Sequence, residues 1–164
     1  MTQITRRSFL KTSAAAGATL ALAPHARPQG ANSDLRVAVV GFRAQGNVHI
    51  RSLRALPGVR VVALCDVDRN VLDRGVKSFA DVNQPVTSYT DVRKLLESKE
   101  VDAIVTATPD HWHALITIWA CQAGKDVYVE KPLSHNLWEG RKMIEAARKY
   151  DRIVQFGNHS HGLK

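Results

Sequence analysis

Leu35-Arg36-Val37-Ala38-Val39-Val40-Gly41-Phe42-Arg43-Ala44-Gln45-Gly46 is the stretch that decides how this chain folds. A β-branched, nearly continuous apolar run stops at a glycine, and helical spacing follows over residues 48–56. A strand buried on both faces reads this way, because helices cover a parallel sheet above and below. Working outward, Pro57-Gly58 ends the helix, and residues 59–65 form a second apolar strand. An aspartate opens the next helix, 68–80, where a side-chain oxygen can accept the first free amides. A weak strand at 86–89 precedes Asp91, which caps a helix over 92–98. A strand at 101–107 leads into a helix at 110–123 that Gly124 stops. Strand 126–129, helix 137–150 and strand 152–156 complete the alternation. Strands alternating with helices predict an α/β fold built on a doubly wound parallel sheet. No internal repeat is present beyond this alternation.

The net charge of +8 is unevenly spread. Half of it comes from Arg6, Arg7, Lys11 and Arg27, with no acidic residue before Asp34. Beyond that point basic residues are interleaved with acids, as in Asp68-Arg69, and no basic run is interleaved with aromatics. A nucleic-acid partner is therefore not expected. Thr5-Arg6-Arg7-Ser8-Phe9-Leu10-Lys11, followed by the alanine-rich residues 12–23, has the layout of a twin-arginine export signal. The stretch is shorter than the roughly 20 apolar residues of a stable membrane span. Ala21-Leu22-Ala23 has the form of a cleavage site, although Pro24 would follow the cut and is unfavourable there. Residues 25–33 read as a linker, so residues 1–33 are expected to be signal and linker, with a periplasmic or extracellular destination. Cys65 and Cys121 are too few for a disulfide framework and are expected to be small buried hydrophobes.

The turn after the first strand resembles the dinucleotide fingerprint G-x-G-x-x-G without its middle glycine, whose place Arg43 takes. Gly41 permits the tight turn, and Gly46 permits close helix–strand packing beside a pyrophosphate at the helix amino terminus. Gly41, Phe42, Arg43, Gln45 and Gly46 are the candidate contacts. The Arg43 side chain either crowds the phosphate or swings out and pairs with it. Asp66 closes the second strand twenty positions after Gly46, where a carboxylate accepts ribose hydroxyls. Its competing role is a cap in the turn leading to Asp68. A carboxylate at Asp66 repels a 2′-phosphate and favours NAD, while nearby Arg69 keeps NADP open as the alternative cofactor.

The tripeptide Glu130-Lys131-Pro132 closes the fifth strand. Ligands of open α/β sheets bind just beyond the carboxyl ends of the strands, so Lys131 is placed for chemistry. Thr108-Pro109-Asp110-His111-Trp112-His113, then Ala123-Gly124-Lys125, then Glu130-Lys131-Pro132 resemble the Gfo/Idh/MocA oxidoreductases. The likeness runs from Leu35 to about Gly157, and the twin-arginine start is similar to the exported branch of that family. The resemblance implies a Rossmann-type NAD(P)-binding domain at 34–157, with Thr108, Pro109, Asp110 and His113 lining the nicotinamide side of the cleft. It implies that Glu130 helps to hold the cofactor. Lys131 would be the catalytic lysine, bonded to the hydroxyl of a sugar or polyol while hydride is exchanged. An amine beside a cationic cofactor, partly desolvated, can be tuned for that proton transfer.

His111 and His113 are two positions apart at a helix start, which points them away from each other and disfavours a metal. His159 and His161 repeat the spacing. No metal site is expected, and His111 and Trp112 are expected to line the cleft or pack on its wall. The resemblance implies a C-terminal α/β substrate domain, which is expected to be absent here, with residues 158–164 expected to begin the hinge into it. An open sheet face near the last strand would leave the chain marginal or self-associating, as a homo-oligomer. Two alternatives to the oxidoreductase remain: an NAD-binding module without turnover, and part of an NAD-dependent glycosidase.

Overall fold

The computed structural model describes residues 34–158. The export signal, the linker, His159, His161 and the rest of the expected hinge lie outside these residues. Six strands, β1 (Leu35–Val40), β2 (Val59–Cys65), β3 (Thr87–Tyr89), β4 (Ala103–Thr106), β5 (Asp126–Val129) and β6 (Val154–Phe156), form one sheet. Every pairing is parallel, and the order is β3-β2-β1-β4-β5-β6. The helices are α1 (Gln45–Arg54), α2 (Arg69–Ala80), α3 (Val92–Leu96), α4 (Asp110–Gln122) and α5 (Leu137–Lys149). The chain runs outward from β1 to β3, then returns to β4 on the other side of β1. That reversal opens a crevice at the carboxyl ends of β1 and β4, where such sheets take their ligands.

Side-chain alternation divides the core. Val37 and Val39 of β1 join Phe42, Ile50, Leu64, Leu72, Phe79 and Val105 in one apolar cluster under α1 and α2. Ala38 and Val40 face the opposite cluster with Ile104, Ala120, Val127, Val129 and Met143, under α3, α4 and α5. Each large side chain so buried contributes about 1.5–3 kcal/mol, which holds helices of only modest propensity onto the sheet. The β1–β2 register slips between Val37 and Ala38, where Val61 pairs with Val37 but Ala63 with Ala38. Val62 is the extra residue, and it packs against the same cluster as Ala63.

Caps set several helix starts. Asp68, Asp91 and Asn136 accept from the amides of Asn70, Arg93 and Glu139 respectively. At the amino end of the sheet, Lys125 Nζ donates to the carbonyls of Ser98 and Val101, both at 2.7 Å, and burial pushes its pKa down. Arg36 ties the start of β1 to Asp102 through its backbone amide, Nε and Nη2. Both contacts lie at the end of the sheet away from the crevice, and the second fixes the start of β1. Among the described residues, no helix is long and apolar enough to cross a membrane.

Candidate functional site

Four segments meet at the carboxyl end of the sheet, each hung from the ladder of a neighbouring strand. Gly41 N–H donates to Cys65 O at 2.9 Å, Asp66 N–H to Tyr89 O at 3.2 Å, Ala107 N–H to Val40 O at 2.9 Å, and Glu130 N–H to Thr106 O at 3.0 Å. Gly41 adopts φ +73°, and a Cβ there would lie 2.8 Å from Thr108 Cγ2. A Cβ on Gly46 would lie 2.2 Å from the Gly41 carbonyl oxygen. Only glycine fits at either position, so the turn stays open and α1 starts directly against β1. No side chain caps α1, whose preceding residue is Ala44. No capping side chain therefore covers the amino end of α1, an arrangement that suits a pyrophosphate-binding helix. Gln45 opens that first turn, half-buried.

Arg43 swings out of the turn. Its side chain is largely exposed and pairs with Asp68, the cap of α2. Phe42 turns the other way: it is buried in the core, with Gly75 so close beneath its ring that a Cβ would lie 2.5 Å from Cε2. What Phe42 offers the site is its amide, which donates to Asp66 Oδ2 at 3.2 Å. Asp66 Oδ1 accepts from the Asp68 amide at 3.0 Å. The carboxylate is thus fixed in orientation at the end of β2, and the capping of α2 falls to Asp68. Arg69, the first residue of α2, is exposed.

On the other side of the crevice, Thr108 is half-buried, with its hydroxyl 3.1 Å from that of buried Thr106. Pro109 precedes α4 and is exposed. Asp110, in the first turn of α4, accepts from the His111 amide at 2.8 Å and lies 3.1 Å from His135 Nδ1. That hydrogen bond holds the Asp110 carboxyl below the usual carboxylate range and raises His135 above the usual imidazole range. His111 and Trp112 are both exposed, with ring centres 6.3 Å apart. His113 points inward and is 1% exposed, so it stands behind the crevice wall and not at its surface. Its Nδ1 is 2.7 Å from the Pro132 carbonyl oxygen and its Nε2 is 2.8 Å from that of Thr108. Among the described residues, no three His, Cys, Asp or Glu side chains converge in a way that could hold a metal ion.

Lys131 is exposed at the end of β5, joined to Pro132 by a cis peptide bond. Its amide donates to Glu130 Oε2 at 2.9 Å. Glu130 itself is 4% exposed, and its Oε1 lies 2.7 Å from His49 Nε2. The carboxylate thus supports the Lys131 turn from below. His49 and His135 are site residues that the motifs did not indicate. His49 had a signal: with Gly46 and Ile50 it occupies i, i+3 and i+4 of one helix face, where a polar residue needs a buried partner. His135 had none, since its partner Asp110 is remote in sequence.

Comparison with known proteins fits this geometry. Residues 35–158 match the family model described as an oxidoreductase family with an NAD-binding Rossmann fold. Residues 3–23 match the twin-arginine translocation signal, so the chain carries the signal for export by that route. A glycosyl hydrolase family 109 protein of Shewanella baltica is 31% identical over 91% of this chain. This chain spans 38% of that relative's length. Among solved structures, a probable dehydrogenase from Thermotoga maritima superposes with a TM-score of 0.71 at 30% identity, covering 75% of this chain and 36% of that one. A myo-inositol 2-dehydrogenase from Lactobacillus plantarum gives 0.67 at 32% identity, over 76% and 36%. The chain belongs to the Gfo/Idh/MocA oxidoreductase family, of which it carries the NAD-binding Rossmann domain.

Proposed function

We propose that this chain is the cofactor-binding part of a periplasmic or extracellular oxidoreductase that exchanges hydride between NAD and a hydroxyl carbon of a sugar or polyol. The observation that carries the reading is the meeting of the glycine turn, Asp66, Thr108 and Lys131 at one end of the sheet. Gly41 and Gly46 let the turn lie against Thr108 and α1 start directly against β1, and no capping side chain covers the start of that helix. Bound nicotinamide supplies the hydride chemistry. The chain's own groups orient and hold protons. Asp66 accepts the ribose hydroxyls, and Lys131 Nζ holds the substrate hydroxyl and takes its proton as the carbon is oxidised.

NAD is favoured over NADP because the Asp66 carboxylate, fixed by the Phe42 and Asp68 amides, repels a 2′-phosphate, while exposed Arg69 is the residue that would serve NADP instead. The Lactobacillus relative's name, a myo-inositol dehydrogenase, supports a polyol or sugar substrate. The Shewanella relative's name supports a second reading, in which the oxidation is transient and serves glycosidic cleavage. Titration of the purified chain with NAD and NADP tests the shared core of both. NAD is expected to bind at least about tenfold more tightly than NADP, and Asp66→Ala to erase most of that margin. No binding of either nucleotide by the wild-type chain overturns the proposal. In the protein that carries the substrate domain, Lys131→Ala is expected to abolish turnover while leaving NAD affinity nearly unchanged.

A further inference from the structure

Two histidines on different helices close on the turn that carries Lys131. From α1, His49 Nε2 meets Glu130 Oε1, and the other oxygen of that carboxylate accepts the Lys131 amide. From α4, His113 sits between the carbonyls of Pro132 and Thr108. The residue before Lys131 and the residue after it are each held by a histidine. Both histidines are largely or wholly withdrawn from solvent, as is Glu130, while Lys131 is exposed between them.

We propose that His49 and His113 are positioning residues for Lys131. The inference rests on the catalytic reading of that lysine. A lysine side chain is long and flexible, so the place its amine can occupy is set by where its Cα is held. A misplacement of about 1 Å at such a site is costly to catalysis. His49 fixes that Cα relative to α1, the helix whose amino terminus faces the pyrophosphate. His113 fixes it relative to Thr108, on the nicotinamide side of the crevice. Only a ring nitrogen that carries a proton donates, so a ring protonated on both nitrogens ties both carbonyls and a neutral ring ties one. The two histidines therefore couple the lysine turn to both halves of the cofactor cleft, and neither needs to touch the cofactor. A direct contact is in any case closed to His113, which is 1% exposed.

Amide hydrogen exchange of the full chain, read residue by residue by NMR without nucleotide, tests this. The Lys131 amide is expected to be protected in the wild type although its side chain is exposed. His49→Leu and His113→Leu are each expected to speed its exchange by about tenfold, the scale of one lost buried hydrogen bond, while Val39 and Val40 of β1 stay unchanged. His49→Gln keeps a donor for Glu130 and is expected to restore protection. Exchange at Lys131 as fast as in an exposed turn of the wild type, no change in the leucine variants, or equal acceleration in β1 overturns the proposal. If the leucine variants do not fold, the wild type and His49→Gln decide it, with fast exchange at Lys131 in either being the overturning result. Because the exchange is read without nucleotide, failure to bind NAD registers separately, as does unchanged turnover in Lys131→Ala.

Discussion

Gly41 and Gly46 occupy the same turn for different physical reasons. Gly41 needs a positive φ and also space beside Thr108, whereas Gly46 has an ordinary φ and lacks only room. Gly124 is the contrasting case, with φ +73° and nothing within 4 Å of its missing Cβ. Arg43 shows how a residue can depart from a motif without spoiling it, because its side chain is drawn out to Asp68. The pair of Asp110 and His135 yields a pH prediction. His135 is raised by its hydrogen bond to Asp110, so its contribution is complete below the ordinary imidazole value of about 6.5 and fades as pH climbs through the raised one. Asp110 is lowered by the same bond, so its contribution holds above the ordinary carboxylate range and fades as pH falls through the depressed value. Between those limits the pair is intact. In Asp110→Asn, an NMR titration is expected to show His135 moving back down toward its ordinary value, and an unmoved His135 would refute the pairing.

At the scale of elements, starts are set by caps and close approaches. The sequence predicts the first helix over 48–56, but α1 begins at Gln45, because Gly46 lets the helix start while the chain is still touching β1. The strand expected over 101–107 is reduced to Ala103–Thr106, since only these residues find ladder partners in β1 and β5. α5 begins where Asn136 Oδ1 accepts from Glu139 N–H, and Glu139 reaches back to Asn136 Nδ2 and to the His135 amide. Asn136→Ala removes the first two of these and is expected to cost about 1 kcal/mol in urea denaturation, with no loss of NAD affinity. A change below a few tenths of a kcal/mol would mean that the bond from the His135 amide to Glu139 carries the cap alone.

For the molecule as a whole, the two clusters on either face of the sheet hold the crevice rigid from behind. Both thiols lie buried, and burial pushes Cys65 up to about 12 and Cys121 above its usual value. They are expected to resist thiol reagents at neutral pH and to react only as the domain opens. NAD at 100 times its dissociation constant stabilises the native state by about 2.7 kcal/mol, so labelling is expected to slow about 100-fold. Unslowed labelling of a chain that binds NAD would place the thiols in a locally mobile region instead.

Periodicity, glycines and capping aspartates were enough to read six strands, five helices and a doubly wound sheet, because each is written in neighbouring residues. The glycine turn, Asp66, Thr108 and Lys131 were legible as motifs for the same reason. Tertiary structure alone decided that Arg43 pairs with Asp68, that Phe42 belongs to the core, and that His113 stands behind the cleft wall. It alone brought His49 to Glu130 and His135 to Asp110, pairs separated by 81 and 25 positions. Local rules fix a residue's element and face. Which distant partner meets it depends on how the parallel strands are ordered, and only the assembled sheet sets that order.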